Sequence, residues 1–199
     1  DEFTAGTNYT DSITVQTADG TTQLITVTIT GSNDGPIASA ASNTVLEDGT
    51  ITGNVSATDA DQATGLTYAL NGAAPTGLIF NANGSYSFDA ASYDSLASGA
   101  SQIITIPYTV TDANSATSTA NLVITITGTN DAAVISGVST AALTETNTAL
   151  TASGSLSASD VDSSAAFVAQ TGVAGSNGYG SFSINSAGAW SYTANTAHN

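Results

Sequence analysis

The chain of 199 residues has no Lys, no Arg, no Cys and no Met, and a single His. Each absence excludes a class of chemistry. Without Cys there is no disulfide framework, no thiolate metal site and no sulfur nucleophile. Without Lys or Arg there is no Schiff base, no phosphate-binding lysine and no basic patch for nucleic acid or anionic lipid. No apolar run approaches the roughly 18 residues of a membrane helix. His198 stands near the chain end without a Ser or Asp pattern around it, so it reads as a solvated side chain.

What is present is acidic and apolar at once. Sixteen Asp and Glu give a formal charge of -16, yet charged residues are only 8% of the chain and apolar residues 41%. Disorder requires low hydrophobicity together with high charge, and this composition supplies neither. The remainder is dominated by Thr, Ser, Gly and Asn, and the apolar side chains include many Val and Ile, as in secreted β-proteins. Carboxylates with no internal counter-ion point to a cation from outside the polypeptide. Oxygen-only ligands favour calcium over transition metals.

Hydrophobic residues recur with period two. Ile25, Val27 and Ile29 alternate with Thr26, Thr28 and Thr30, and Leu122, Ile124 and Ile126 repeat the pattern. Such alternation predicts half-buried strands. Ile13 and Val15 form a shorter strand that Asp19-Gly20 turns into the 24–30 strand. Tyr108 and Val110 precede a turn at 112–115, followed by a strand over 120–127. Tyr86 and Phe88 follow the turn pair Asn83-Gly84, and Trp190 and Tyr192 follow Ala187-Gly188. These aromatics, with Tyr179 and Phe182, are expected in a sandwich core. An exposed platform for carbohydrate or peptide is the alternative. The predicted fold is all-β, built of Ig-like sandwiches.

The chain also repeats itself. Ile29-Thr-Gly-Ser-Asn-Asp34 matches Ile126-Thr-Gly-Thr-Asn-Asp131. Ser56-Ala-Thr-Asp-Ala-Asp61 matches Ser157-Ala-Ser-Asp-Val-Asp162, and Asn81–Phe88 matches Asn185–Tyr192. The offsets run from 97 to 104, the length of one sandwich domain.

Two family resemblances rest on these residues. Residues 35–132 resemble a bacterial cadherin-like repeat through Val45-Leu-Glu-Asp48, Ala57-Thr-Asp-Ala-Asp61, Asn83-Gly-Ser-Tyr86, Tyr108-Thr-Val-Thr-Asp112 and Gly128-Thr-Asn-Asp131. Residues 133–199 resemble the first two-thirds of a VCBS repeat through Asp160-Val-Asp162, Phe167–Thr171, Tyr179-Gly-Ser-Phe182 and Gly188-Ala-Trp-Ser-Tyr-Thr193. Residues 1–34 resemble its last third through Tyr9-Thr-Asp-Ser12, Thr17-Ala-Asp-Gly-Thr21 and Ile25–Gly31. The two VCBS-like pieces together make 101 residues, one complete repeat. The expectation is therefore one period of a two-domain array, cut inside a VCBS-like domain. Residues 1–34 of one copy would complete 133–199 of another, in a covalent tandem array or by strand exchange. A fragment with arbitrary ends is the plainer alternative.

The resemblance also implies metal ligands. Asn33-Asp34 and Asn130-Asp131 resemble a shortened cadherin linker, although Gly31 and Gly128 replace its first Asp, and Gly35 and Ala132 its last Asn. Those replacements lower the expected ligand count. One implied calcium site combines Glu47, Asp112, Asn130, Asp131, Asp160 and Asp162. The other combines Asn33, Asp34, Asp59 and Asp61 with Glu145 of a preceding copy. The competing expectation is that these Asp and Asn side chains only form Asx turns. Asp19, Asp48, Asp89 and Asp94 are read as surface or turn residues.

The resemblance implies a structural role in large RTX-type adhesins: an extracellular stalk or filament at a bacterial surface, serving adhesion and biofilm. Its partners would be copies of itself, head to tail, and a cell or host surface, with no nucleic acid and no membrane insertion. Catalysis is not expected. A carbohydrate- or peptide-binding adhesin module is the alternative.

Overall fold

A computed structural model describes residues 3–61 and 64–195. The chain divides into two compact units, Asp1–Gly128 and Thr129–Asn199. The division falls just before the repeat boundary read from the sequence.

The first unit opens with a hairpin, β1 (Asn8–Gln16) and β2 (Thr22–Thr30), paired in register from Asn8↔Thr30 to Gln16↔Thr22. Gly20 takes φ +94 in its turn, a region open to glycine without steric cost. Nine further strands follow: β3 (Ile37–Ser39), β4 (Ala41–Leu46), β5 (Thr50–Asn54), β6 (Ser56–Thr58), β7 (Thr67–Leu70), β8 (Leu78–Phe80), β9 (Ser85–Asp89), β10 (Ser101–Thr111) and β11 (Thr117–Thr127). They form a four-stranded sheet β4-β11-β10-β7 and a three-stranded sheet β5-β9-β8, with β3 paired to β6. The only helical turn among the described residues is a 3-10 turn at Ala91–Tyr93. This is the all-β sandwich that the alternation predicts.

Each sheet sends alternate side chains into one core. Leu122, Ile124 and Ile126 of β11 are fully buried, and so are Tyr108 and Val110 of β10. Phe88, Tyr86, Leu78 and Val55 meet them from the other sheet. A Cβ at Gly53 would stand 2.5 Å from the Tyr86 hydroxyl, so glycine there lets the ring lie flat across β5. The parallel pairing of β4 with β11, from Ala41↔Leu122 to Leu46↔Thr127, closes the sandwich.

The second unit contains β12 (Val134–Gly137), β13 (Thr151–Ser159), β14 (Gln170–Ala174), β15 (Gly180–Ile184) and β16 (Ala189–Ala194). They form a single sheet, β12-β13-β16-β15-β14. Among the described residues this unit has no second sheet. The alternation that predicts a core therefore yields a half-core here. Trp190 and Tyr192 are only partly buried, and Tyr179 and Phe182 are exposed. The β1–β2 hairpin departs from expectation in the same way. Its strands pair as predicted but lie almost wholly exposed, because among the described residues no second sheet packs on their apolar side.

Candidate metal centre

The acidic residues gather through Asx turns that the repeat builds twice. Asp59 Oδ1 accepts the Asp61 amide at 2.9 Å, and Asp160 Oδ1 accepts the Asp162 amide at 3.2 Å. Each turn consumes one oxygen of its first Asp and brings the second carboxylate back toward the strand end. Turn chemistry and metal ligation are thus compatible: the turn uses some oxygens and leaves others.

In the first unit, Asp34 donates its backbone N–H to Asp61 Oδ2. Asp61 Oδ1 is buried and makes no hydrogen bond. Asn33 Nδ2 donates to Asp112 Oδ2 at 2.8 Å, and Asn114 Nδ2 donates to Asn33 Oδ1. Asp112 Oδ1 accepts the amides of Asn114 (2.9 Å) and Ala116 (2.7 Å). The Asn33 amide first, and then these backbone amides, hold the Asp112 carboxyl below the usual Asp range. Ser115, at φ +71, is the one non-glycine residue at positive φ in this turn. The sequence-predicted group Asn33, Asp34, Asp59 and Asp61 is therefore assembled locally, and Asp112 joins it.

That placement corrects the expected grouping of Asp112 with Glu47. Glu47 donates its N–H to Thr127 O, at the end of β11 that pairs with Ser101. Asp112 follows the opposite end of β10, about 34 Å along the strand at 3.4 Å per residue. Sequence order alone does not say that β4 runs parallel to β11, which carries Glu47 to the end away from the turn. Asn114 was missed, although it lies two residues from Asp112 in the turn recognised from sequence.

Glu47 is fully buried, and its Oε2 accepts the Leu96 amide at 3.1 Å. Asp48 and Asp94, read as plain surface or turn residues, bring carboxylate oxygens within 4.8 Å of each other beside it. Their separation of 46 positions hid this from the sequence.

In the second unit, both Asp162 oxygens are buried and make no hydrogen bond. Burial first, and then the Asp160 carboxylate beside it, raises the Asp162 carboxyl above the usual range. Asp160 is held low, chiefly by the Ser163 hydroxyl, then by the Asp162 carboxyl beside it and the backbone amides of Ser163 and Asp162. Asn130 is exposed and donates to Asp131 O at 2.7 Å. Glu145 is exposed in a stretch without strands. His198 lies outside the described residues.

Residues 33–128 match the bacterial cadherin-like domain family. This segment is similar to that family and covers just under half of the chain. No curated protein matches the chain. Among solved structures, protocadherin gamma B2 extracellular cadherin domains 1-5 is similar at TM-score 0.50 and 16% identity, covering 96% of this chain and 45% of that one. PcdhgB3 EC1-4 is similar at TM-score 0.51 and 14% identity, covering 95% of this chain and 57% of that one. The chain thus spans about half the length of these structures, and at such identity the likeness is one of fold. No helix among the described residues is long and apolar enough to cross a membrane.

The donor set of both clusters is all oxygen: carboxylate, side-chain amide and backbone carbonyl. That set suits a hard divalent cation. A buried carboxylate without hydrogen bonds is costly unless a charge compensates it, and this chain has no Lys or Arg to do so. The residues present fit a calcium ion.

Proposed function

We propose that this chain is a structural repeat of an extracellular bacterial surface adhesin, a stalk or filament stiffened by calcium at its domain junctions. The observation that carries the reading is Asp162, whose two buried oxygens lack any hydrogen bond in a chain of charge -16. Asp61 Oδ1 repeats the situation in the first unit. Asn33, Asp34, Asp59, Asp61 and Asp112 would hold one ion, and Asn130, Asp131, Asp160 and Asp162 another. The cation would cancel carboxylate repulsion and pin the Asn-Asp segment to the Asx turn beside it.

The role is non-catalytic. Self-association head to tail, in a covalent array or by strand exchange, and attachment to a cell or host surface complete the reading. The cadherin-like segment 33–128 supports it.

Calcium titration followed by thermal unfolding tests the reading. Calcium at about 100 times its Kd stabilises by about 2.7 kcal/mol for one site. Excess chelator lowers Tm, and Asp162→Asn and Asp61→Asn each remove part of the calcium response. Melting and small-angle scattering unchanged by chelator overturn it.

One observation favours a second reading. Tyr179, Phe182, Trp190 and Tyr192 line a cleft of about 610 Å³, which suits a carbohydrate- or peptide-binding module. Trp190 fluorescence quenched by a saturating sugar or peptide would support it.

A further inference from the structure

We infer that the cleft of the second unit is the receptor for the β1–β2 hairpin of another copy of this chain. The inference deepens the head-to-tail part of the proposed function and rests on it. Its evidence is an internal comparison, because the molecule contains the same half-domain twice and covers it once.

The correspondence is close. Val55 donates its N–H to Gly84 O at 2.9 Å, and Leu156 donates to Gly188 O at 2.9 Å. Gly53 faces Tyr86 across β5 and β9, and Gly154 faces Trp190 across β13 and β16. Leu78 pairs with Phe88 as Phe182 pairs with Tyr192. The sheet β5-β9-β8 is therefore the counterpart of β13-β16-β15. In the first unit β10–β11 covers that sheet, and Leu78, Tyr86 and Phe88 are 8%, 5% and 0% exposed. In the second, Phe182 is 46% exposed and the cleft stands open.

The counterpart of β10–β11 is also in the chain. The shared Ile-Thr-Gly-x-Asn-Asp sequence aligns Ile25, Val27 and Ile29 with Leu122, Ile124 and Ile126. The cross-strand partners Ile13↔Ile25 and Ile106↔Leu122 fall at the same step. By this register Tyr9, Ile13, Val15, Ile25, Val27 and Ile29 share one face of the hairpin, and the Thr-rich opposite face is polar but for Leu24. Leu122, Ile124 and Ile126 are 0% exposed, whereas Ile25, Val27 and Ile29 are 48%, 55% and 42% exposed. Asp11, on the same face, stands where the half-buried Ile104 stands, toward the rim.

The cleft shows what it lacks. In the first unit β4 becomes a strand by pairing with β11, with Val45 beside Ile126. Its counterpart, residues 139–144, carries no strand, and Leu143, the match of Val45, is 43% exposed. Docking the hairpin would set β2 parallel to 139–144, with Ile29 beside Leu143 and Val27 beside Ala141. An apolar hairpin face without a sheet and an apolar cleft without a hairpin are then one interface, which is heterologous and open-ended.

Sedimentation velocity of the full chain over a concentration series, with and without chelator, tests this. The expected result is mass that grows with concentration. Val27→Asp on the hairpin and Leu143→Asp in the cleft change exposed side chains, so each copy still folds. Each should weaken association roughly tenfold or more, because it buries an unpaired charge. Mixed together, the two variants should form a dimer and go no further, since one intact hairpin meets one intact cleft. In this Cys-free chain, Thr28→Cys with Ala142→Cys should give a disulfide-linked ladder. A mass independent of concentration, or association that survives Val27→Asp, overturns the proposal. So does a Trp190 emission that Val27→Asp alters while the mass stays that of one chain, which assigns the hairpin to its own copy. Calcium-dependent melting that persists without assembly overturns the docking alone and leaves the calcium reading standing.

Discussion

Residues 25–29 and 122–126 have nearly the same pattern, yet one strand is the centre of a core and the other is bare. The same holds for the sheets they belong with: Phe88 is sealed, and its counterpart Tyr192 lines an open cleft. What differs is not the strand but what lies across from it. Hydrophobic alternation specifies which face is apolar, and burial depends on a second sheet being at hand.

The sharpest way to break this comparison is to truncate matched side chains. Leu78→Ala should cost about 2–5 kcal/mol, as for a large side chain removed from a closed core. Phe182→Ala should cost under about 1 kcal/mol in the isolated copy, since half its surface is already in water. Urea unfolding of both variants checks this, and equal losses would erase the distinction between the units.

A smaller difference is expected at the paired glycines. Gly53→Ala drives a methyl into the buried Tyr86 ring and should cost about 1–3 kcal/mol. At Gly154 a Cβ would lie 2.6 Å from the Trp190 ring, whose indole N–H donates to Val138 O at 2.6 Å, but that ring faces the open cleft rather than a closed core. Gly154→Ala should therefore cost less than about 1 kcal/mol by the same measure. Amide exchange sharpens the contrast without mutation. Amides of β11 should exchange at the rate of global unfolding, and those of β1 and β2 far faster, because an uncovered hairpin opens locally.

The least effect belongs to the hairpin turn. The Thr17 hydroxyl first, and then the Thr21 amide, hold the Asp19 carboxyl below its usual value. A depressed folded pKa stabilises the turn fully above the unfolded value of about 3.9, and this is lost as pH falls through the folded one. The protection of the Thr21 amide, relative to its intrinsic exchange rate, should fall on acidification below that range, and Asp19→Ala should remove that change.

Much of the fold was legible in the sequence. The strands around Tyr86, Tyr108, Leu122 and Trp190 follow from period two, and their turns from Asn83-Gly84, Asp112–Ser115 and Ala187-Gly188. The paired carboxylates Asp59/Asp61 and Asp160/Asp162 followed from the repeat, and each forms the turn that its spacing allows. Long-range placement was not legible. Asp112 meets Asn33 across 79 positions, and Asp48 meets Asp94 across 46. Those meetings depend on strand order in the sheet, which local pattern does not encode. The exposure of Trp190 and Phe182 was hidden for a related reason, since alternation marks an apolar face without saying whether a second sheet covers it.

The parallel pairing of β4 with β11 has a mechanical consequence. One strand lies near the start of segment 33–128 and the other at its end, and they run in the same direction. A pull on both ends first parts the three-residue β3–β6 pairing and then slides β4 against β11 along their length. The hydrogen bonds between them bear that load together rather than one after another. Under tension the domain resists by shear, so its lifetime in a stretched tether is set by the rate at which this one strip of backbone gives way.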